Sequence, residues 1–202
     1  MNRLVAAAVL VAGLATLLAG CLVERGTLPP GSAPSGPPES FGPPVEVTPG
    51  PTGPVAIDPS LLAVLPRTVG GLPVTDSPEG DSDILADDVL PSIASAAVSA
   101  VAVDARAEDL VFVYVVRLLP NGFSDDVFRD WRDSYDAGAC AGETEVVGRA
   151  EADVAGNHIF IGTCATGLRT YHTWIKDRGL LISISSTGDK RLGLVLLGNL
   201  PK

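Results

Sequence analysis

Along the second two-thirds of the chain the hydrophobic positions change period several times, and each change marks an element. Leu72 to Thr75 reads as a short first strand after the Gly70-Gly71 turn. Ser82 to Val101 reads as a helix opened by Ser82 or Asp83 as N-cap, with Asp87 and Asp88 near its start. Pro91 interrupts that pattern, so the helix either kinks there or begins near it. Leu110 to Leu119 (LVFVYVVRLL) is β-branched and aromatic, the composition of a buried strand, and Asn121-Gly122 follows as a turn.

Ser124 then caps a second helix, Asp125 to about Ala137, on which Phe128, Trp131 and Tyr135 form one apolar stripe. Asp125 with Arg129, and Arg129 with Asp133, stand one helical turn apart on its wet side. Beyond it come short strand-like runs: Glu145 to Asp153, His158 to Ala165, Tyr171 to Lys176 and Leu180 to Ser186. The turn compositions between them suggest an antiparallel meander. Lys190 to Leu200 closes as a helix with a Leu/Val stripe. The order implies an α+β fold, a mostly antiparallel sheet of about five or six strands packed with two or three helices. Nine of the ten aromatic residues lie between Phe112 and Trp174, which places the densest core there.

The pattern is different at the start. Arg3 precedes an uncharged apolar run, Leu4 to Leu18, shorter than the ~20 residues a membrane-spanning helix needs. The run ends in Leu18-Ala19-Gly20-Cys21. This segment resembles the lipobox of bacterial lipoproteins. The resemblance implies a signal peptide over residues 1–20, cleavage before Cys21, a diacylglycerol on the Cys21 thiol and an acyl chain such as palmitate on its amine. Two or three acyl chains would hold the protein at the membrane, where a single chain anchors only marginally. Residues 21–59 then form a tether, because 11 of the chain's 17 prolines fall between Leu22 and Pro59 with Gly, Ser and Thr between them. Residues 60–202 are one domain's worth of chain. Their segments RDWRDSYDAGAC and GTCATGLRTYHTW resemble uncharacterised bacterial envelope lipoproteins, a resemblance that supplies no catalytic residues.

Of three cysteines, lipidation of Cys21 would leave Cys140 and Cys164, an even remainder that reads as a disulfide in an exported chain. The alternative, zinc on Cys140, Cys164, His158 and His172, has no short ligand pair to support it. The acidic stretch from Asp76 to Asp88 fails the calcium-loop template, since the sixth position counted from Asp81 is Ala86 rather than Gly.

A His-dependent catalytic site would have to use His158 or His172, and neither sits in a recognisable motif. His158 follows a turn and is expected at a solvent-facing rim. Strand alternation puts His172 and Trp174 on one face, with Tyr171, Thr173 and Ile175 on the other. Arg169, His172 and Trp174 make the candidate ligand patch. No catalytic residue, metal or cofactor is assigned. The formal charge of −10 argues against nucleic acid as a partner. The expectation is a membrane-anchored, extracytoplasmic envelope lipoprotein acting as a non-enzymatic binding or interaction module, for an envelope protein or a small ligand. The alternatives are an envelope enzyme with a site near His172 and an accessory solute-binding lipoprotein of a transporter.

Overall fold

The computed structural model describes residues 53–120, 122–141 and 145–201. In chain order the strands are β1 (Ala56–Ile57), β2 (Thr68–Val69), β3 (Leu72–Pro73), β4 (Thr75–Asp76), β5 (Ala94–Val103), β6 (Leu110–Leu118), β7 (Val146–Val154), β8 (Asn157–Cys164), β9 (Arg169–Ile175) and β10 (Leu180–Thr187). The α-helices are α1 (Pro78–Ala86), α2 (Asp125–Ala139) and α3 (Leu192–Gly198). None of the described helices is long and apolar enough to cross a membrane.

The main sheet runs β1-β5-β6-β10-β9-β8-β7, with β4 also on the outer edge of β5. β7 to β10 form the expected antiparallel meander, and the parallel β1–β5 pair is the exception to an otherwise antiparallel sheet. The fold is thus the expected α+β class, with a strand count raised above six by the two-residue edge strands β1 and β4. Their presence shows that the sheet recruits Ala56 and Ile57, ahead of residue 60.

Alternation along the strands sorts side chains to two faces. One face carries Val98, Ala100, Val111, Val113, Val115, Ile182, Ile184 and Tyr171, covered by α3 and a 3-10 turn at Pro59–Val64. The other carries Ala97, Val116, Leu181, Phe160 and Trp174, covered by α1 and α2. Both edges are blunted. β1 and β4 line the outer side of β5, while β7 presents Arg149, Glu151 and Asp153 and a bulge near Gly148.

One expected element is corrected. Ser82 to Val101 is not one helix. Ser77 caps α1, its side chain accepting from the Gly80 N–H, and Pro78 occupies the first turn. The helix ends at Ala86, a 3-10 turn carries Leu90–Ser92, and the chain becomes β5. High alanine content favours a helix locally, but β5 lies between β6 and the short edge strands and is buried on both faces from Ala96 to Ala100. Small side chains suit that position. The Cβ that Gly80 lacks would stand 2.6 Å from Ser99 Oγ and 2.5 Å from the Phe112 ring, so α1 touches the sheet where only small residues fit. Asp81 fixes the contact by accepting the Ser99 N–H at 2.8 Å.

α2 matches expectation, capped by Ser124 through the Val127 N–H. Its wet-side pairs differ. Arg129 meets Asp126 at 3.0 Å, and Asp125 reaches across to Lys176 at 2.8 Å. The Asn121-Gly122 turn lies partly outside the described residues. Cys140, at the end of α2, is bonded to Cys164 at the end of β8. The link closes a loop of 24 residues, so reduction is expected to cost about 3 kcal/mol in the chain-entropy account. Urea unfolding with and without reductant checks this: the midpoint falls on reduction, and the Cys140→Ala/Cys164→Ala protein shows the lower midpoint without responding to reductant.

Candidate functional site

The underside of α2 is polar. Trp131, Tyr135 and Asp136 project from the helix onto Thr170 and His172 of β9 and Ser183 and Ser185 of β10. Their bonds form a directed chain. An indole N–H can only donate, so Trp131 Nε1 gives its proton to Ser183 Oγ at 2.9 Å. Asp136 accepts from the Thr170 hydroxyl and from His172 Nε2, the latter at 2.9 Å. With the His172 proton on Nε2, Nδ1 accepts the Ser183 hydroxyl at 3.0 Å. Every donor has an acceptor, as a buried network requires. The Tyr135 hydroxyl pairs with Ser185 Oγ at 3.1 Å.

This chain contains an Asp, a His and a Ser in hydrogen-bonding sequence, the parts of a nucleophilic triad. It cannot act as one where it sits. His172 and Ser183 are 0 % exposed and Asp136 1 %. None of the three residues lines the two larger clefts beside α2 described below. Ser183 also receives the Trp131 N–H, which turns one of its lone pairs inward. The network fastens α2 to the sheet: Asp136 borders a smaller third cleft of about 360 Å³ beside α2, but His172 and Ser183 line none of these clefts. Burial pushes the His172 imidazole below its ordinary value despite the Asp136 carboxylate beside it. Burial pushes Asp136 up, but the bonds from His172 and Thr170 outweigh it, and its carboxyl lies below the usual range.

The sequence-derived patch is therefore only partly assembled. His172 and Trp174 do share a face. Arg169 lies on the other, two positions from Tyr171, and does not join them. His172 is sealed, while Trp174 lies at the rim of a cleft. His158 is half exposed at the rim, as expected. Cys21 lies outside the described residues.

α2 has an open cleft on each side. The first, about 470 Å³, lies between its N-terminal half and β8–β9, over Phe128, Phe160 and Trp174. Its charges are matched internally. Lys176 Nζ lies 4.3 Å over the Trp174 ring and bonds Asp125, and Arg132 lies 4.4 Å over Phe160. His158 bridges Asp153 and Glu151 at 3.0 and 3.2 Å, and Asp153 leads in raising its pKa above the ordinary value.

The second, about 450 Å³, is a groove between α1 and α2 floored by β6 and β10. Phe112, Tyr114, Trp131 and Tyr135 line it, with Asp83 and Asp87 on the α1 side. Successive rings meet edge to face: Phe112 and Tyr114 at 4.9 Å, Tyr114 and Tyr135 at 6.0 Å. Its charges are unmatched. Asp87 Oδ1 accepts the Val89 and Leu90 N–H groups at 2.8 and 2.9 Å, capping the next turn. Among the described residues no cation pairs with Asp83 or Asp87. Burial first, then Asp83, Asp87 and Asp81, push the Tyr114 hydroxyl up to about 12. Sequence reasoning missed this groove. It tested the acids only against a calcium loop and placed the rings in the core, because α1, β6 and α2 meet only in three dimensions.

Because His172 is held below 6.5, the unfolded chain binds more protons than the folded one as pH drops through that value. Stability is therefore expected to fall from pH 7 towards pH 5, by at most about 1.4 kcal/mol per pH unit for the one proton. Asp136, held below 3.8, extends the loss into the acid range. His158 works in the opposite sense and stays in place in the test protein. Thermal melts of His172→Gln should show the slope between pH 7 and pH 5 abolished or reversed, with lower stability at pH 7. An unchanged slope would assign the titration elsewhere.

Comparison of the chain with protein families, with curated proteins and with solved structures finds no match, so function is argued from the site alone.

Proposed function

We propose that the chain is a lipid-anchored protein of the extracytoplasmic side of a bacterial membrane, acting as a non-enzymatic binding module whose ligand site is the groove between α1 and α2. The observation that carries the module reading is the contrast beside α2. Among the described residues the Asp136-His172-Ser183 constellation is closed over by the helix, whereas the two larger concave surfaces beside it are open and aromatic. An enzyme using His172 as base needs a cleft next to that imidazole, and the residue is packed on every side. The described residues form one main sheet covered on both faces, with the two-stranded β2–β3 sheet beside it. A two-lobed solute-binding lipoprotein would place its ligand between lobes. The LAGC segment supports the anchor, with membrane lipid as the first partner through Cys21 and an envelope protein or small ligand as the second.

Two measurements test this. In a bacterium that processes lipoproteins, the protein should partition into the detergent phase and its Cys21 peptide should carry diacylglycerol. Cys21→Ser should move it to the aqueous phase. Unmodified Cys21 removes the anchor from the reading. Cross-linking in intact cells should capture a reproducible partner or ligand, and Asp136→Asn, which keeps the Oδ1 that accepts from Thr170 and His172 and does not line the groove, should retain it at the same yield. Turnover of an envelope substrate by the purified protein, abolished in Asp136→Asn, would overturn the non-enzymatic reading.

A further inference from the structure

We infer that the groove between α1 and α2 binds an organic cation, a methylated or quaternary ammonium group seated against Phe112, Tyr114, Trp131 and Tyr135 with Asp83 and Asp87 as its counter-charges. The inference deepens the proposed function and rests on its reading of the groove as the ligand site. Three features point to this chemistry.

Ring faces and carboxylates both attract positive charge, and here they line the same cavity. An anionic ligand would meet two carboxylates with no compensating base, while the first cleft already satisfies its cations and its acids internally. The groove is thus the cleft beside α2 whose charge calls for an outside partner.

The donor set then selects the kind of cation. Among the described residues no group of three His, Cys, Asp or Glu could hold a metal ion. A primary ammonium wants an acceptor for each of its three protons. Here the carboxylates of Asp83 and Asp87 stand on the α1 side, while the β6 and α2 sides present mainly the rings of Phe112, Tyr114, Trp131 and Tyr135. Asp87 Oδ1 is engaged by backbone N–H groups, and Ser185 Oγ by Tyr135. A methylated ammonium has few or no N–H groups to satisfy and presents methyl groups to the rings.

The size also fits. About 450 Å³ lies within the ~300–1,000 Å³ usual for small-ligand pockets and leaves room beyond the head group. Gly138 sits on the α2 wall with no atom within 4 Å of where a Cβ would stand, so the wall is open at that point.

The chain has two tryptophans, one beside each cleft, and this makes the test internal. The full-length acylated protein, in a non-ionic detergent and with 15N-labelled tryptophan, gives one indole N–H signal for Trp131 and one for Trp174. Choline is titrated first, then its neutral isostere 3,3-dimethylbutan-1-ol. Phosphatidylcholine vesicles containing the reconstituted protein provide the lipid-borne form of the same head group.

The expected result is a saturable shift of the Trp131 signal with Trp174 unmoved. Binding of the neutral isostere should be weaker by about tenfold or more. Asp83→Asn, at an exposed position, should weaken choline several-fold and flatten its salt dependence, and Gly138→Phe should abolish the shift. A Trp131 shift with choline alone assigns a free solute. A shift with the vesicles as well assigns a head group that the membrane can present.

Equal binding of the isostere, movement of Trp174 alone, or no movement of either indole would overturn the cation inference. In each case a partner captured in cells and retained in Asp136→Asn would leave the binding-module reading standing. Turnover lost in Asp136→Asn would remove that reading whatever choline does.

Discussion

The position of α2 depends on a buried line of hydrogen bonds that cannot be left half made. Beneath the helix Trp131 donates to Ser183, Ser183 to His172 and His172 to Asp136, which also accepts from Thr170. Removing any member strands a polar atom away from water, at about 1–3 kcal/mol for a neutral group and more for the carboxylate. Apolar packing alone would let α2 slide or rotate on the sheet, because the hydrophobic effect has no direction. The polar line admits one register. Gly162 on β8 belongs to the same constraint, since a Cβ there would stand 2.8 Å from Asp136 Oδ2. The disulfide at the far end of α2 holds the helix a second time, through Cys164 of the same strand.

With α2 held in place, the two clefts beside it acquire opposite characters. On the β8–β9 side the helix contributes Asp125, Arg129 and Arg132; Asp125 pairs with Lys176 and Arg129 with Asp126, while Glu151 pairs with His158, so attraction is used up within the protein. On the β6 side it contributes Trp131 and Tyr135, and the facing helix contributes only acids. Asp81 and Asp87 are both tied into local structure, one to β5 and one to the following turn. Asp83 has no such task among the described residues. The acidic stretch is thus divided by role: some acids build the wall of the groove and one is left facing the space.

Much of this was legible in the sequence where one element decides the outcome. Ser124 ahead of Phe128, Trp131 and Tyr135 marks α2 because cap and stripe belong to the same helix. The meander is readable from alternation and turns, and the Cys140–Cys164 pair from parity. Legibility failed where neighbours decide. The alanines of β5 favour a helix until β6 and the edge strands are beside them. Asp136 looks like one more acid on α2, since nothing local distinguishes a carboxylate that meets His172 from one that meets water. Arg169 was grouped with His172 by chemistry, although the period of the strand puts it with Tyr171.

β1 joins the sheet through only two residue pairs with β5, and the chain turns just beyond it at Asp58, whose carboxylate grips Arg117 of β6 at 2.9 Å. Mechanical tension transmitted from the N-terminal side therefore reaches this small attachment before it reaches the hydrophobic core. The attachment is built like a tear strip. Peeling it away would bare the backbone of β5 at Ala96 and Ala97 while α2, locked from beneath and stapled at its end, kept the groove intact. The point where the chain enters the sheet and the face that carries the groove are thus kept mechanically apart.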